Sequence, residues 1–295
     1  VRAIQVYHVK ANGWNDIGYN FLVDPFGQIF EGRGGGIERP VVGAHAAGYN
    51  TASVGMAVLG EYGATSVTGE VRSALASLLS WRLDAAHVDP LSRTVLGGAD
   101  LRCVSGHRDV NSTACPGDTL YAEIDAIAAA GQALGLPKLY DPRVELLGER
   151  LMRFTARFSE PLAWTLGVTT TENDPVTSTT GFGALVDWTW DATAVPDGRY
   201  RWTISSASGG ARPATGTVLV GAQPPPVEAP PPPARPPGVP RRIPGWAWEL
   251  AAWHRRPKAD RGPRPTSAPR RVPRWYWSWF SWRVALDRWR REYGG

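Results

Sequence analysis

Residues 104–117 read VSGHRDVNSTACPG and set His107 and Cys115 eight residues apart. Both sit among small or turn-forming residues: Ser105 and Gly106 precede the histidine, and Pro116 and Gly117 follow the cysteine. Leu101, Cys103 and Val104 suit a short strand with His107 at its end, and Asn111, Ser112 and Thr113 suit a loop that returns Cys115 to its side. Imidazole nitrogen and thiolate sulfur are both good zinc ligands, and catalytic zinc takes three protein ligands with one position left for water. The spacing alone leaves a second reading open, in which a hydrogen-bonded core histidine lies near a buried small thiol.

The surrounding letters narrow the choice. Residues 106–118 (GHRDVNSTACPGD) resemble the GHRDV-x-x-T-x-CPGD signature of the peptidoglycan recognition proteins, the zinc N-acetylmuramoyl-L-alanine amidases related to phage T7 lysozyme. Residues 16–23 (DIGYNFLV), 30–34 (FEGRG), 42–50 (VGAHAAGYN) and 54–60 (VGMAVLG) resemble the family's other blocks, in the family's order.

The resemblance implies hydrolysis of the amide between the lactyl group of N-acetylmuramic acid and L-alanine of the peptide stem. It implies Zn2+ as cofactor, with His107 and Cys115 as ligands. The family's remaining ligand is a histidine on a strand upstream of the first helix, a position that would lie before Val1. Tyr19 matches the catalytic tyrosine, whose phenol would hydrogen-bond the zinc-bound water or the developing oxyanion; an ordinary strand tyrosine with a surface hydroxyl is the other account. Thr113 stands where the phage enzyme carries a lysine, and its hydroxyl can donate one hydrogen bond to the oxyanion without bringing charge. His45 occupies the substrate-groove position, with structural packing or metal binding as alternatives. Arg33 and Glu31 line the groove or a solvated turn. His8 is expected to pack against the first helix's surroundings and His87 to be solvated at a helix end. Arg108 and Asp109 are expected to pair with each other or with groups behind the ligands, as structural salt bridges, with orientation of a ligand by Asp109 as the alternative. A different class of function also fits the family: a module that binds muramyl peptides without cutting them. Its non-catalytic members lack the metal cysteine, and Cys115 is present.

These residues need a scaffold. The 295 residues, with net charge +5, give room for two domains and a substantial core. Two cysteines exclude a disulfide-dense scaffold, which leaves Cys103 as a buried strand thiol or half of a disulfide with an upstream partner. No apolar run of about 18 residues suggests a membrane span. Without an initiator Met or a signal peptide, the chain reads as a fragment, and a wall substrate would make the protein secreted or cell-wall associated.

An amphipathic helix over residues 2–11, closed by Asn12-Gly13, leads into a hairpin of residues 19–23 and 28–30. Residues 54–59 read as a strand from the middle of a sheet. Helical stripes follow over 71–86 and 119–134, the second stopped by Gly135. The expected fold is α/β: a mixed central β-sheet flanked by helices, of the amidase type, over residues 1–138. From 139 to 222 short strands and turns suggest an accessory β-sandwich. Residues 195–204 (VPDGRYRWTI) are similar to immunoglobulin-like modules of the flagellar-hook-cap type. A Pro-rich linker over 223–240 is expected to be an extended polyproline spacer.

Residues 241–295 form a basic Trp-rich tail. From Pro240 onward 14 Lys or Arg face 4 Asp or Glu, so this part carries +10 and the remainder −5. PRRIPGWAWELAAW from Pro240 recurs as PRRVPRWYWSWFSW from Pro269, which marks two copies of one unit. The partners expected are peptidoglycan for the first domain and cell-envelope polymers for the tail, with no nucleic acid and a monomeric chain.

Overall fold

The computed structural model describes residues 1–221, 231–255 and 262–293. The chain forms two compact units, Val1–Gln223 and Pro224–Gly295.

The first unit opens with α1 (Arg2–Lys10), which buries none of its residues. A hairpin follows, with β1 (Phe21–Val23) antiparallel to β2 (Ile29–Glu31). Asp24 closes its turn, because one carboxylate oxygen accepts from the N–H groups of Phe26 (3.0 Å) and Gln28 (2.9 Å). β3 (Met56–Val58) pairs with β1 in parallel. It was expected in the middle of the sheet, but among the described residues the strand order is β2-β1-β3 and it takes the edge. Its three residues are accordingly only half-buried. β4 (Arg93–Leu96) and β5 (Ala99–Arg102) make a separate antiparallel pair.

Two helices cover this mixed sheet. α2 (Gly69–Ala85) starts at Thr68, whose hydroxyl accepts from the Val71 N–H at 3.3 Å and so satisfies one free donor of the first turn. It buries Val71, Leu75, Leu78 and Leu79 at helical spacing. α3 (Asp118–Ala133) buries Leu120, Ile124 and Ile127, and Gly135 at φ +66° turns the chain beyond it. The stripes meet Phe21 and Val23 of β1 in one core. Arg72 and Glu123 tie the two helices at 2.7 Å.

Residues beyond α3 form β6 (Leu139–Leu146), β7 (Leu151–Thr169), β8 (Pro175–Asp191), β9 (Gly198–Ser206) and β10 (Ala214–Val220). In the region expected to be a β-sandwich, hydrogen bonding joins all five strands into one antiparallel sheet. β7 runs for 19 residues, so β6 pairs with its first stretch, β9 with its second, and β8 with both. A register shift between Arg157 and Leu162 separates the stretches. Alternate side chains of both, such as Phe154 and Leu166, enter one core with Trp190, Trp202 and Ile204.

The division expected at 138/139 lies inside this unit, across a polar seam. Lys138 is only 2% exposed, and its Nζ donates to Ser80 Oγ (2.8 Å) and to the Gly131 carbonyl (3.0 Å). Buried Asp89 accepts from Gln132 Nε2 at 2.6 Å and pairs with Arg157 of β7. His87, expected to be solvated, is half-buried at φ +55° with Nδ1 3.0 Å from the Leu139 carbonyl oxygen. The strand that follows packs back on the helix end and covers it.

In the second unit α4 (Gly245–Arg255) and α5 (Arg274–Tyr293) enclose a small core of Ala247, Leu250, Tyr276 and Trp279. Of the expected proline spacer, 223–230 lies outside the described residues, and 231–240 contains no helix or strand. Among the described residues no helix is long and apolar enough to cross a membrane.

Candidate functional site

His107 does not cap β5 as expected. It opens a 3-10 turn (His107–Asp109) five residues past the strand's last residue. Asp109 builds this turn: one oxygen accepts from the Gly106 N–H at 2.8 Å, the other from Tyr121 Oη of α3 at 2.5 Å. Arg108 and Asp109 each form a structural salt bridge, with other partners and not with each other: Asp109 with Arg102 at 3.5 Å and Arg108 with Asp118 at 2.7 Å. Arg108 also lies over the Tyr121 ring and donates to the Ala114 carbonyl at 2.5 Å. The Arg108 N–H also donates to the Cys115 carbonyl at 3.0 Å, so both arms of the loop are clamped together. Gly117 completes the return, with φ +92° and a backbone so close to Tyr62 that a Cβ would stand 2.3 Å from its carbonyl carbon.

Tyr19, Arg33, His45, His107 and Cys115 line one cavity of about 840 Å³. Its walls include β3 and β5, and it reaches inward to Leu75, Leu79 and Leu120. The Tyr19 and His45 rings stack at 6.1 Å between centroids. Burial, with the Cys115 thiolate charge second, raises the Tyr19 phenol above its ordinary value, so it stays protonated at neutral pH and can donate. Burial holds the His45 imidazole below its ordinary value; a hydrogen bond to the Gly18 backbone opposes this, and the His107 and Arg33 charges add to it. Partial burial raises the Cys115 thiol, with Arg108 opposing. Arg33 is fixed by donation from Nε to the Ile17 carbonyl at 2.9 Å.

His45 is held by residues that the sequence reading passed over. Its N–H and that of Ala46 both donate to Asn50 Oδ1, at 2.7 and 2.9 Å. Its Nε2 lies 3.2 Å from Ser53 Oγ, and the Ser53 hydroxyl donates to the Tyr49 carbonyl. Gly43 and Gly55 flank the ring so closely that a Cβ on either would overlap it. Buried Asn20 ties these loops to β1, donating to the Val41 carbonyl (2.8 Å) and accepting from the Gly55 N–H (2.9 Å). The Asn in DIGYN was the available signal for that tie; a glycine that works by lacking a side chain gives none.

The other expected residues fall as follows. Thr113 is exposed and lines no part of the cavity; its Oγ1 accepts from the Cys115 N–H at 3.2 Å. His8 is half-buried and its Nδ1 accepts from the Gly18 N–H at 3.2 Å, a structural position. Cys103 is a free, half-buried thiol 3.0 Å from Ser92 Oγ. His254 stands among Trp253, Tyr276 and Trp277 in the second unit.

A cation would find suitable donors in the loop. His107 Nε2 lies 3.2 Å from Asn111 Oδ1, which fixes the ring and leaves Nδ1 without a hydrogen bond among the described residues. Cys115 is a free thiol on the same cavity. An imidazole with a thiol is a zinc-type donor set. Among the described residues no group of three His, Cys, Asp or Glu side chains is arranged to hold a metal ion.

Comparison with known proteins bears on the same part of the chain. The N-acetylmuramoyl-L-alanine amidase family profile matches residues 2–118. Peptidoglycan-recognition protein SC2 of Drosophila simulans is 40% identical over 125 residues, covering 42% of this chain and 60% of the relative. Peptidoglycan recognition protein 1 of Bos taurus is 34% identical over 119 residues, covering 40% and 55%. The solved structure of wild-type Drosophila PGRP-LB is 34% identical, covering 42% and 65%, with a TM-score of 0.35. The chain spans about three-fifths of the length of the curated relatives it matches best among these.

Proposed function

Because the chain belongs, through residues 2–118, to the peptidoglycan recognition protein and N-acetylmuramoyl-L-alanine amidase family, we propose that its cavity receives a muramyl peptide of peptidoglycan and that the protein cleaves the lactyl–L-alanine amide. The observation that supports this is the convergence of Tyr19, Arg33, His45, His107 and Cys115 on one cavity.

His107, through Nδ1, and Cys115 would hold zinc. Zinc supplies Lewis acidity, which acidifies water and polarises an amide carbonyl. Two protein donors fall one short of a catalytic site. The family resemblance assigns the third to a histidine on an upstream strand. Tyr19, kept protonated by burial, would donate to the oxygen on which charge develops. His45 and Arg33 would hold the muramyl peptide, the neutral imidazole by contact and the guanidinium by its remaining donors. Thr113 would act only by setting the Cys115 backbone, since its hydroxyl caps that N–H.

Within this reading residues 1–138 are the amidase domain and residues 139–222 an accessory module packed on it. The protein works outside the cell or at its wall, as a monomer. The competing account is a module that binds muramyl peptides without cutting, which the names of the peptidoglycan-recognition relatives suit as well. Zinc content and release of stem peptide from murein sacculi separate the two. A zinc-loaded protein that frees stem peptide supports the amidase, whereas tight muramyl-peptide binding with intact sacculi supports the binder.

A further inference from the structure

The second unit contains two copies of one motif, 29 residues apart, and the copies have diverged enough to show which positions are held fixed. Between residues 240–253 and 269–282 the shared residues are Pro240/Pro269, the Arg pairs 241–242 and 270–271, Pro244/Pro273, Trp246/Trp275, Trp248/Trp277 and Trp253/Trp282.

The fold accounts for most of them. The Pro240 and Pro269 carbonyls accept from equivalent arginines, Arg235 (2.5 Å) and Arg264 (2.7 Å). The Pro244 and Pro273 carbonyls each accept, at 3.0 Å, from the N–H three residues on and start the helices. Trp246 and Trp275 touch each other at 5.6 Å between centroids. Trp253 Nε1 donates to the Gly262 carbonyl at 2.8 Å and Trp282 Nε1 to the Pro233 carbonyl at 2.7 Å. Gly262 and Pro233 are themselves one repeat apart, so each copy bonds the approach segment of the other. A residue touching its own equivalent, together with reciprocal bonds, is the signature of a two-fold relation, here within one chain.

Two shared features are left over. Arg241, Arg242, Arg270 and Arg271 are all exposed, and no guanidinium of the four has a hydrogen bond or ion pair among the described residues. Trp248 and Trp277 are each 46% exposed, although tryptophan is normally well covered. Packing inside the unit takes up part of each indole, with Trp248 against Trp279 and under Arg283 and Trp277 against His254 and Tyr276, but it explains neither the arginine pair nor the indole surface left exposed in both copies.

We propose that this unit is a two-site binding module for a linear polymer of sugar or polyol phosphates, each copy taking one segment of the chain. The paired guanidiniums match phosphate oxygens, and the open indole offers a flat apolar face to the sugar or polyol between them. Two equivalent sites on one folded unit convert the second contact into an intramolecular one. The choice of a wall polymer over nucleic acid rests on the peptidoglycan reading of residues 2–118; the duplicated anion site does not.

The test uses the full chain and purified poly(glycerol phosphate), with no reference to murein cleavage. Arg241→Gln/Arg242→Gln and Arg270→Gln/Arg271→Gln should each weaken binding roughly tenfold, and all four together roughly a hundredfold or more. The slope of affinity against salt should fall by roughly one to two per pair lost. Circular dichroism and the tryptophan spectrum should stay those of the parent, since the four side chains are exposed. Unchanged affinity in the quadruple variant overturns the proposal. So does equal or tighter binding to single-stranded DNA or to anionic phospholipid vesicles.

Discussion

The two glycines that clasp His45 allow the geometry of the site to be tested without touching a polar group. A Cβ at Gly55 would stand 2.4 Å from His45 Cγ and 2.6 Å from Nδ1, and one at Gly43 would stand 2.3 Å from Nδ1. Unstrained contacts between such atoms are about 3.5 Å or more, so Gly55→Ala must move the ring by roughly 1 Å or expel it. Neither glycine has a positive φ, so the effect is one of space and not of backbone strain. Moving the ring breaks the 3.2 Å bond to Ser53 and the stack on Tyr19. A net hydrogen bond is worth about 1 kcal/mol and an aromatic pair about 0.5–1.5 kcal/mol. Gly55→Ala should therefore cost about 1.5–2.5 kcal/mol in denaturant unfolding. It should weaken muramyl-peptide binding in calorimetry about as much as His45→Ala, roughly tenfold. The double variant His45→Ala/Gly55→Ala removes the overlap, so its stability should be well above the sum of the two losses. Additive losses, or Gly55→Ala with parental stability and affinity, would refute the idea that these glycines set the ring.

Asp89→Ala should destabilise the first unit by about 2–4 kcal/mol, because it strands Gln132 and the Leu91 N–H and unpairs Arg157, which is open enough to water to recover part of the loss; a loss under about 1 kcal/mol in thermal unfolding would show the seam contributes little. Tyr140 is 1% exposed with a buried hydroxyl that has no partner, so Tyr140→Phe should leave the melting temperature unchanged or raised. Burial pushes the Tyr140 phenol up to about 12, so the native state keeps a proton that the unfolded chain releases near 10. Stability should accordingly fall as pH rises from 10 toward 12, and Tyr140→Phe should flatten that decline in a pH series of melts, leaving the part due to Tyr276, which is raised to the same value. Tyr19→Phe should lower turnover on murein by roughly a hundredfold while leaving muramyl-peptide affinity within about twofold; an equal loss in both would make Tyr19 a binding residue only.

Much of the scaffold could be read from patterns that one segment carries by itself. The Asp24–Gly27 turn, the apolar stripe of α2 and the stop at Gly135 each depend on neighbours within a few residues, and they stand where the pattern put them. Edge or centre in a sheet depends on what lies beside a strand, which the letters of β3 do not carry. β7 is one strand although its alternation fails near Ser159–Leu162, where the register shifts and hydrogen bonding to β8 resumes beyond. The Trp repeat was visible, but Trp275, Trp277 and Trp279 are spaced like a strand and lie in α5. In the site, the motif letters singled out the residues that face the cavity, whereas Asn20, Asn50, Gly43 and Gly55 act through backbone contacts or through an absent side chain.

The most direct test supplies zinc to the full-length protein, removes the excess, and measures bound metal together with stem peptide released from murein sacculi, beside a Cys115→Ala variant. The account predicts close to one zinc per chain and steady release of peptides that begin with L-alanine at a free N-terminus, with both lost in Cys115→Ala. Parental protein that holds no zinc and leaves sacculi whole, or Cys115→Ala that cleaves as well as the parent, would contradict it.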